Sequence, residues 1–289
     1  MKNRNIFVIA QKEVADYLRN SGFLVLLATY TLIVFASTYM YGSMKHQGSS
    51  VLLSSIHVGM IALFGPLIGI VLGFDAVVKE RKSGSLNVLL AHPLFRDNII
   101  AGKLLGSMLV LAAIIVFSVF VSVGTLLVFY GMEIGQAELI RIAVFTVLTF
   151  FYVSIFLGIA VFISTIVKDA TNSLTYNVAV WLLIGVLFGA ILKAVVVIVT
   201  GDTSNESVLI TQLLYMSPLH HYAEAVLGKL DLSFGGFSSD PVIGGIFDTG
   251  YTLTQCMKEF WMNIFMLIVT PIVLLVMSFI SFLRKDITL

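Results

Sequence analysis

Charge is scarce in this chain. Asp, Glu, Lys and Arg make up 11% of its 289 residues, against 58% apolar residues and a mean hydropathy of +1.02. That leaves too little polar surface for a soluble body, so the composition reads as an integral membrane protein. Cysteine is almost absent: the single Cys256 excludes an intrachain disulfide, and a lone thiol near the end of a loop reads as a bystander and not a nucleophile. A cleavable signal peptide is not legible, because Lys12, Glu13, Asp16 and Arg19 interrupt the apolar stretch that would be its core. Gly-x-x-x-x-Gly-Lys-Ser/Thr does not occur. The lysines that follow glycine, Lys103 and Lys229, lack the earlier glycine and the hydroxyl, which excludes a phosphate cradle of that kind. No Asp or Glu lies well inside an apolar run, which argues against a stand-alone carrier coupled to protons or sodium. With no Ser/His/Asp arrangement, no paired carboxylate in an apolar setting and no nucleic-acid surface, the chain is not expected to be an enzyme.

What the chain does have is six apolar runs, at 22–41, 51–74, 102–130, 142–167, 173–200 and 260–283. Each reaches the roughly 20 residues that a helix needs to cross a bilayer. Ahead of them, residues 4–20 set Ile6, Phe7, Ile9, Ala10, Val14, Tyr17 and Leu18 against Arg4, Lys12, Glu13, Asp16 and Arg19. That pattern is an amphipathic helix too polar to cross, lying along the membrane surface. The expected fold is therefore an all-α integral membrane protein with an elbow helix over 1–21 and a six-span body over 22–289. Pro66 is expected to kink the second span, where Gly69-x-x-x-Gly73 permits close helix contact, and Pro271 lies in the sixth. His57 reads as a hydrogen-bonded or interfacial histidine, and Lys193 as a cation that reaches the headgroups from the outer end of the fifth span.

The long segment 201–259 has a helical half, 208–216 and 219–227, broken at Ser217-Pro218 and either interfacial or partly re-entrant. Its second half, 230–254, is rich in glycine and is expected to be an exposed loop. If Pro218 opens a helix, His220 and His221 each fall about one turn from Glu224, so a metal site is geometrically possible. Adjacent histidines point in different directions, however, and no further strong ligand is evident. A headgroup-facing His/Tyr cluster is the preferred reading, and no metal is assigned.

Lys and Arg set the orientation. With both termini inside, the inner segments hold twelve of them (Lys2, Arg4, Lys12, Arg19, Lys79, Arg81, Lys82, Arg96, Lys103, Lys168, Arg284 and Lys285) and the outer segments four (Lys45, Arg141, Lys229 and Lys258). That bias places loop 75–101 in the cytosol. The loop is charged and punctuated by turns. Ser83-Gly84-Ser85 breaks the incoming helix, a short helix over 86–91 follows with Leu86, Leu89 and Leu90 on one face, and His92-Pro93 stops it. Asp97 or Asn98 is expected to cap the next span. An exposed leucine face marks either a docking surface or a helix lying on headgroups.

Glu80-Arg81-Lys82-Ser83-Gly84-Ser85-Leu86, then Leu89-Leu90-Ala91-His92-Pro93, Arg96 and Gly102-Lys103, resembles the first cytoplasmic loop of the type-2 ABC transporter permeases, most similar to the NosY-like branch. The resemblance implies that 86–91 is a coupling helix, with Glu80, Arg81, Gly84, Leu86, Leu89, Leu90, Pro93 and Arg96 at the interface with ABC ATPase subunits. It further implies that ATP and Mg are bound by those partners and that no cofactor is bound in this chain. A second permease copy, as a homodimer, would complete the pathway. The surrounding bilayer and an extracytoplasmic accessory protein are the other partners to consider. Export is the usual direction in such a family, the location is the cell membrane with both termini cytoplasmic, and Ser217-Pro218 matches a break that family members carry in the corresponding place.

Overall fold

The computed structural model describes residues 2–44, 55–79, 96–131, 134–201, 212–229, 232 and 243–284, and those residues are overwhelmingly helical. Helix α1, Lys2–Arg19, carries both polar and apolar faces, and Asn20 separates it from α2, Ser21–Met44. Then come α3, Ser55–Gly73, α4, Arg96–Tyr130, and α5, Gln136–Ile166. The next span is built in three pieces: α6, Ala170–Trp181, a π-helical turn, Leu182–Leu187, and α7, Phe188–Thr200. A short helix α8, Pro218–Leu227, a 3-10 turn at Gly245–Phe247 and α9, Leu253–Glu259, precede the last long helix α10, Trp261–Arg284. Five of these stretches are long and apolar enough to cross a membrane, and α3 adds a shorter apolar helix over His57–Gly73. The molecule is an all-helical, multi-pass integral membrane protein.

Between helices in lipid, attraction comes from close van der Waals packing and interhelical hydrogen bonds, so small residues decide who packs on whom. Helix α5 is central, lying along both α3 and α10. A Cβ on Gly69 would stand 2.8 Å from the Val153 carbonyl oxygen, and one on Gly73 would stand 2.7 Å from Ala160 Cβ. On the opposite side, the Ser278 hydroxyl donates to the Gly158 carbonyl at 3.0 Å, and Thr165 meets Ser281 at 2.8 Å. His57, wholly buried, ties three helices together. Its Nδ1 lies 2.9 Å from Thr38 and 3.1 Å from Ser37 on α2, and its Nε2 lies 3.2 Å from Ser122 on α4.

The outline differs from the sequence expectation in several places. Helix α4 begins at Arg96, not near 102, so Asp97 and Asn98 lie within its first turn and do not cap it from outside. An acid there faces the positive end of the helix dipole, which favours the longer helix. The fifth span is not one plain α-helix but is interrupted by the π turn. Composition reads 230–254 as an exposed loop, yet Ile246 and Phe247 are fully buried. Gly245 makes this possible. Its φ of +70° turns the chain, and a Cβ at that position would lie 2.3 Å from the Val226 backbone, so only glycine lets the turn rest on α8 while Phe247 meets Phe145 at 5.1 Å.

The same end of the bundle receives α8, which follows Ser217 at its N-cap, has Pro218 in its first turn and is closed by Gly228 with φ +66°. Most of its side chains are buried. Tyr222 stacks on Tyr152 with centroids 4.5 Å apart, and its hydroxyl lies 2.9 Å from Thr149, both on α5. This helix is a wedge within the bundle.

Candidate functional site

The loop residues singled out from the sequence, Glu80, Arg81, Gly84, Leu86, Leu89, Leu90 and Pro93, lie outside the described residues, as does the whole short helix over 86–91. Arg96 is the first residue of α4. The structure does describe the two roots between which this loop hangs. At the first root, the chain leaves α3 through a turn at 74–77, and the Val77 and Val78 backbone N–H groups donate to Ser164 Oγ at 3.1 and 3.3 Å. Ser173 donates to the Phe74 carbonyl at 2.6 Å. These bonds give side-chain partners to backbone groups beyond the end of the helix. The Tyr17 hydroxyl donates to the Leu72 carbonyl and lies 3.2 Å from Ser107 on α4. Burial is the main reason that Tyr17 is pushed well above the usual tyrosine pKa, so the phenol stays neutral and keeps donating.

At the second root, Lys103 on α4 donates to Glu13 on α1 at 2.7 Å, and both side chains are at most a tenth exposed. Between the two roots opens a cleft of about 240 Å³ whose charged lining is Lys12, Glu13, Asp16, Asp75, Lys79 and Lys103.

Deeper in, Pro66 sits inside α3 and has no N–H to give the carbonyl of Ala62 one turn back. The Tyr152 hydroxyl donates to that oxygen at 3.0 Å, and Trp181 Nε1 donates to the adjacent Leu63 carbonyl at 3.0 Å. Neighbouring helices thus supply donors where the proline removes one, as an apolar surrounding requires. Trp181 leads directly into the π turn, so the irregular points of α3 and of the fifth span face each other.

The match to known proteins covers nearly the whole of this architecture. Residues 7–287 match the family described as "ABC-2 family transporter protein". The chain belongs to the ABC-2 transporter family. It is 26% identical over 267 residues to the "Probable ABC transporter permease protein NosY" of Stutzerimonas stutzeri, covering 89% of this chain and 91% of that protein. It is 27% identical over 246 residues to the protein of the same name from Pseudomonas aeruginosa, covering 80% of this chain and 84% of that one. The ABC-2 protein described here is accordingly a membrane-spanning permease subunit of an ABC transporter, and that family works in association with ABC ATPase subunits.

In this permease the histidine pair does not face headgroups. His220 is fully buried and His221 nearly so. His221 Nδ1 lies 2.6 Å from Asn263 Oδ1 and its Nε2 lies 2.9 Å from the Tyr215 carbonyl, while Asn263 donates to Glu224 at 2.7 Å and His220 Nε2 lies 3.4 Å from the same carboxylate oxygen. Both nitrogens of His221 are engaged by oxygens, so the ring is not aimed at a point shared with His220 and Glu224. Among the described residues no group of three His, Cys, Asp or Glu is placed to hold a metal ion. The cluster instead staples α8 to α10.

Sequence reading missed two features of the permease. Arg141, counted as an outer cation, is buried, and its guanidinium donates to the carbonyls of Ile246, Asp248 and Tyr251. Glu13 and Lys103, 90 positions apart, form the buried pair at the loop root. A signal for the second was present, since Lys103 stands between Gly102 and Gly106, a small-residue spacing that invites a close helix.

Proposed function

We propose that this chain is one half of a two-permease substrate pathway in the cell membrane, with both termini cytoplasmic, driven by two separate ATPase subunits and working in export. ATP and Mg are bound by those subunits. Their closure pushes on the leucine face of 86–91, through Leu86, Leu89 and Leu90, with Glu80, Arg81 and Arg96 as charged contacts and Gly84 and Pro93 as the turns that shape the bracket. The observation that carries this reading is the family match across 7–287, supported by a loop whose roots are fastened to α1, α5 and α6. The tilt of α3 against α4 then alternates access, with Pro66 and Pro271 as points where the helices give and with Gly69 and Gly73 keeping α3 against α5.

An aspartate at Leu89 or Leu90 tests it. The variant is expected to insert and to bind its partner, but to lose the stimulation of ATP hydrolysis by about tenfold, the effect of roughly 1.4 kcal/mol of coupling. Stimulation equal to that of the unaltered protein overturns the reading.

A second reading, in which the same complex transmits force to an extracytoplasmic protein and little passes through, is favoured by the cap that Arg141 holds over the α8 end, since a fixed platform suits a docking partner. Co-purification of such a protein with the permease and ATPase supports it. Transport by a complex that lacks one counts against it.

A further inference from the structure

A surface anchor needs only an amphipathic face, yet α1 is fastened to the bundle far more tightly than anchoring requires. It lies along α4. Two glycines form its seat: a Cβ on Gly102 would stand 2.7 Å from Ile9 Cβ and 3.0 Å from the Ile6 carbonyl oxygen, and one on Gly106 would stand 2.7 Å from Glu13 Cβ and 2.9 Å from the Ala10 carbonyl oxygen. With α1 seated there, Glu13 lies 2.7 Å from Lys103, and both side chains are about nine-tenths buried. An exposed ion pair would contribute little. A buried one behaves differently, because separating it strands two charges out of water, so the contact is either fully made or strongly disfavoured. One turn further along, Tyr17 donates to the carbonyl of Leu72, where α3 is about to release the loop. Helix α1 therefore grips the last turn of α3 and the first turns of α4 together, the two ends between which loop 75–101 is slung.

We propose that Glu13 and Lys103 are positioning residues that lock α1 to α4, so that the two helices move as one body and α1 bears the load applied to the loop. This inference rests on the ABC permease reading above. Were α1 free to slide, a push on the loop would be spent displacing its roots along the headgroups. With the pair made and the glycine seat filled, the push turns α4 as a lever.

The test uses the permease co-purified with its ATPase and reconstituted in liposomes. Glu13→Gln and Lys103→Gln are each expected to lower permease-stimulated ATP turnover by about fivefold or more, at an unchanged ratio of permease to ATPase, and the reciprocal pair Glu13→Lys with Lys103→Glu to return it to within about twofold. A role in stability alone would change the amount of complex and leave turnover per complex as it was. The second arm fills the seat: Gly102→Ala, whose Cβ would press on Ile9 and the Ile6 carbonyl, is expected to lower turnover per complex by about threefold or more, and Gly124→Ala, on the same helix but facing open space, to leave it within about twofold. The proposal is overturned if the single variants keep full turnover, if the reciprocal pair fails to recover it, or if Gly102→Ala turns over ATP as Gly124→Ala does. Should the single variants fail to insert, the glycine arm decides. An unaltered chain that carries no ATPase at all removes the permease reading first, and the lever with it.

Discussion

Pro66 and Tyr152 solve one problem between them. The proline leaves the Ala62 carbonyl without its helical donor, and the tyrosine hydroxyl on α5 supplies one at 3.0 Å. The two residues should therefore be coupled thermodynamically. Tyr152→Phe is expected to destabilise the permease by about 0.5–1.5 kcal/mol, and by less in the Pro66→Ala background, where a backbone N–H returns. Thermal unfolding of the four proteins in detergent measures the difference, and equal costs in both backgrounds would show that the hydroxyl does something else. Neither partner was legible as such in the sequence. Proline inside an apolar run announces a missing donor, but which of the tyrosines in the chain replaces it depends on how α3 lies on α5. The Tyr17 hydroxyl follows the same logic at the α1 end, where burial keeps it protonated for the Leu72 carbonyl. Its stabilising share is fully present below about pH 10, the ordinary tyrosine value, and is lost progressively as the pH climbs from there through the higher value of the folded state.

At the level of elements, α3 is shaped by where it carries nothing. Gly69 presents bare backbone to the Val153 carbonyl and Gly73 to Ala160. Gly59, in the same helix, has nothing beyond its chain neighbours and the backbone of its own helix within 4 Å of the position where a Cβ would be. The contrast gives a direct experiment. Gly69→Ala should destabilise the permease by about 1–3 kcal/mol through overpacking, whereas Gly59→Ala should be neutral or stabilising by up to about 1 kcal/mol through helix propensity. Melting midpoints of the two variants separate the outcomes, and equal shifts would mean that the α3–α5 contact is not tight. The spacing Gly69-x-x-x-Gly73 showed in the sequence that some helix comes close. The identity of that helix, and the fact that α4 uses Gly102 and Gly106 in the same way for α1, came only from the packing. The π turn at 182–187 had no sequence signal strong enough to read, since a run of Leu, Ile, Val and Gly suits α-helix and π-helix alike.

Across the whole molecule, the chain ties its ends of the bundle differently. The α1 end is held by side-chain pairs around the loop roots, and the α8 end by Arg141, which reaches three backbone carbonyls more than a hundred positions away. Charge-assisted bonds of this kind contribute about 1.5–3 kcal/mol each. Arg141→Met should therefore free the turn at 245–251. Limited proteolysis there is expected to accelerate by about tenfold or more, the factor corresponding to roughly 1.4 kcal/mol of lost protection. Cleavage at an unchanged rate would show that the buried Phe247 holds the cap unaided. The same experiment bears on function, since a cap that opens while an extracytoplasmic protein still co-purifies could not be the platform for that protein.

The amino-acid sequence by itself determined the medium, the number of apolar runs, the amphipathic lead-in helix and the family resemblance carried by the charged loop. These follow from composition, run length and local turn chemistry, which need no knowledge of neighbours. Tertiary structure alone decided that the histidine pair is buried, that 245–247 belongs to the core, that Arg141 is a clamp and that Glu13 finds Lys103. For the histidines, Arg141 and Glu13 the physical reason is shared: in an apolar surrounding a polar group must have a partner, which lies wherever packing brings a second helix. For 245–247 it is the close approach to α8 that Gly245 permits, and no local stretch of sequence specifies either.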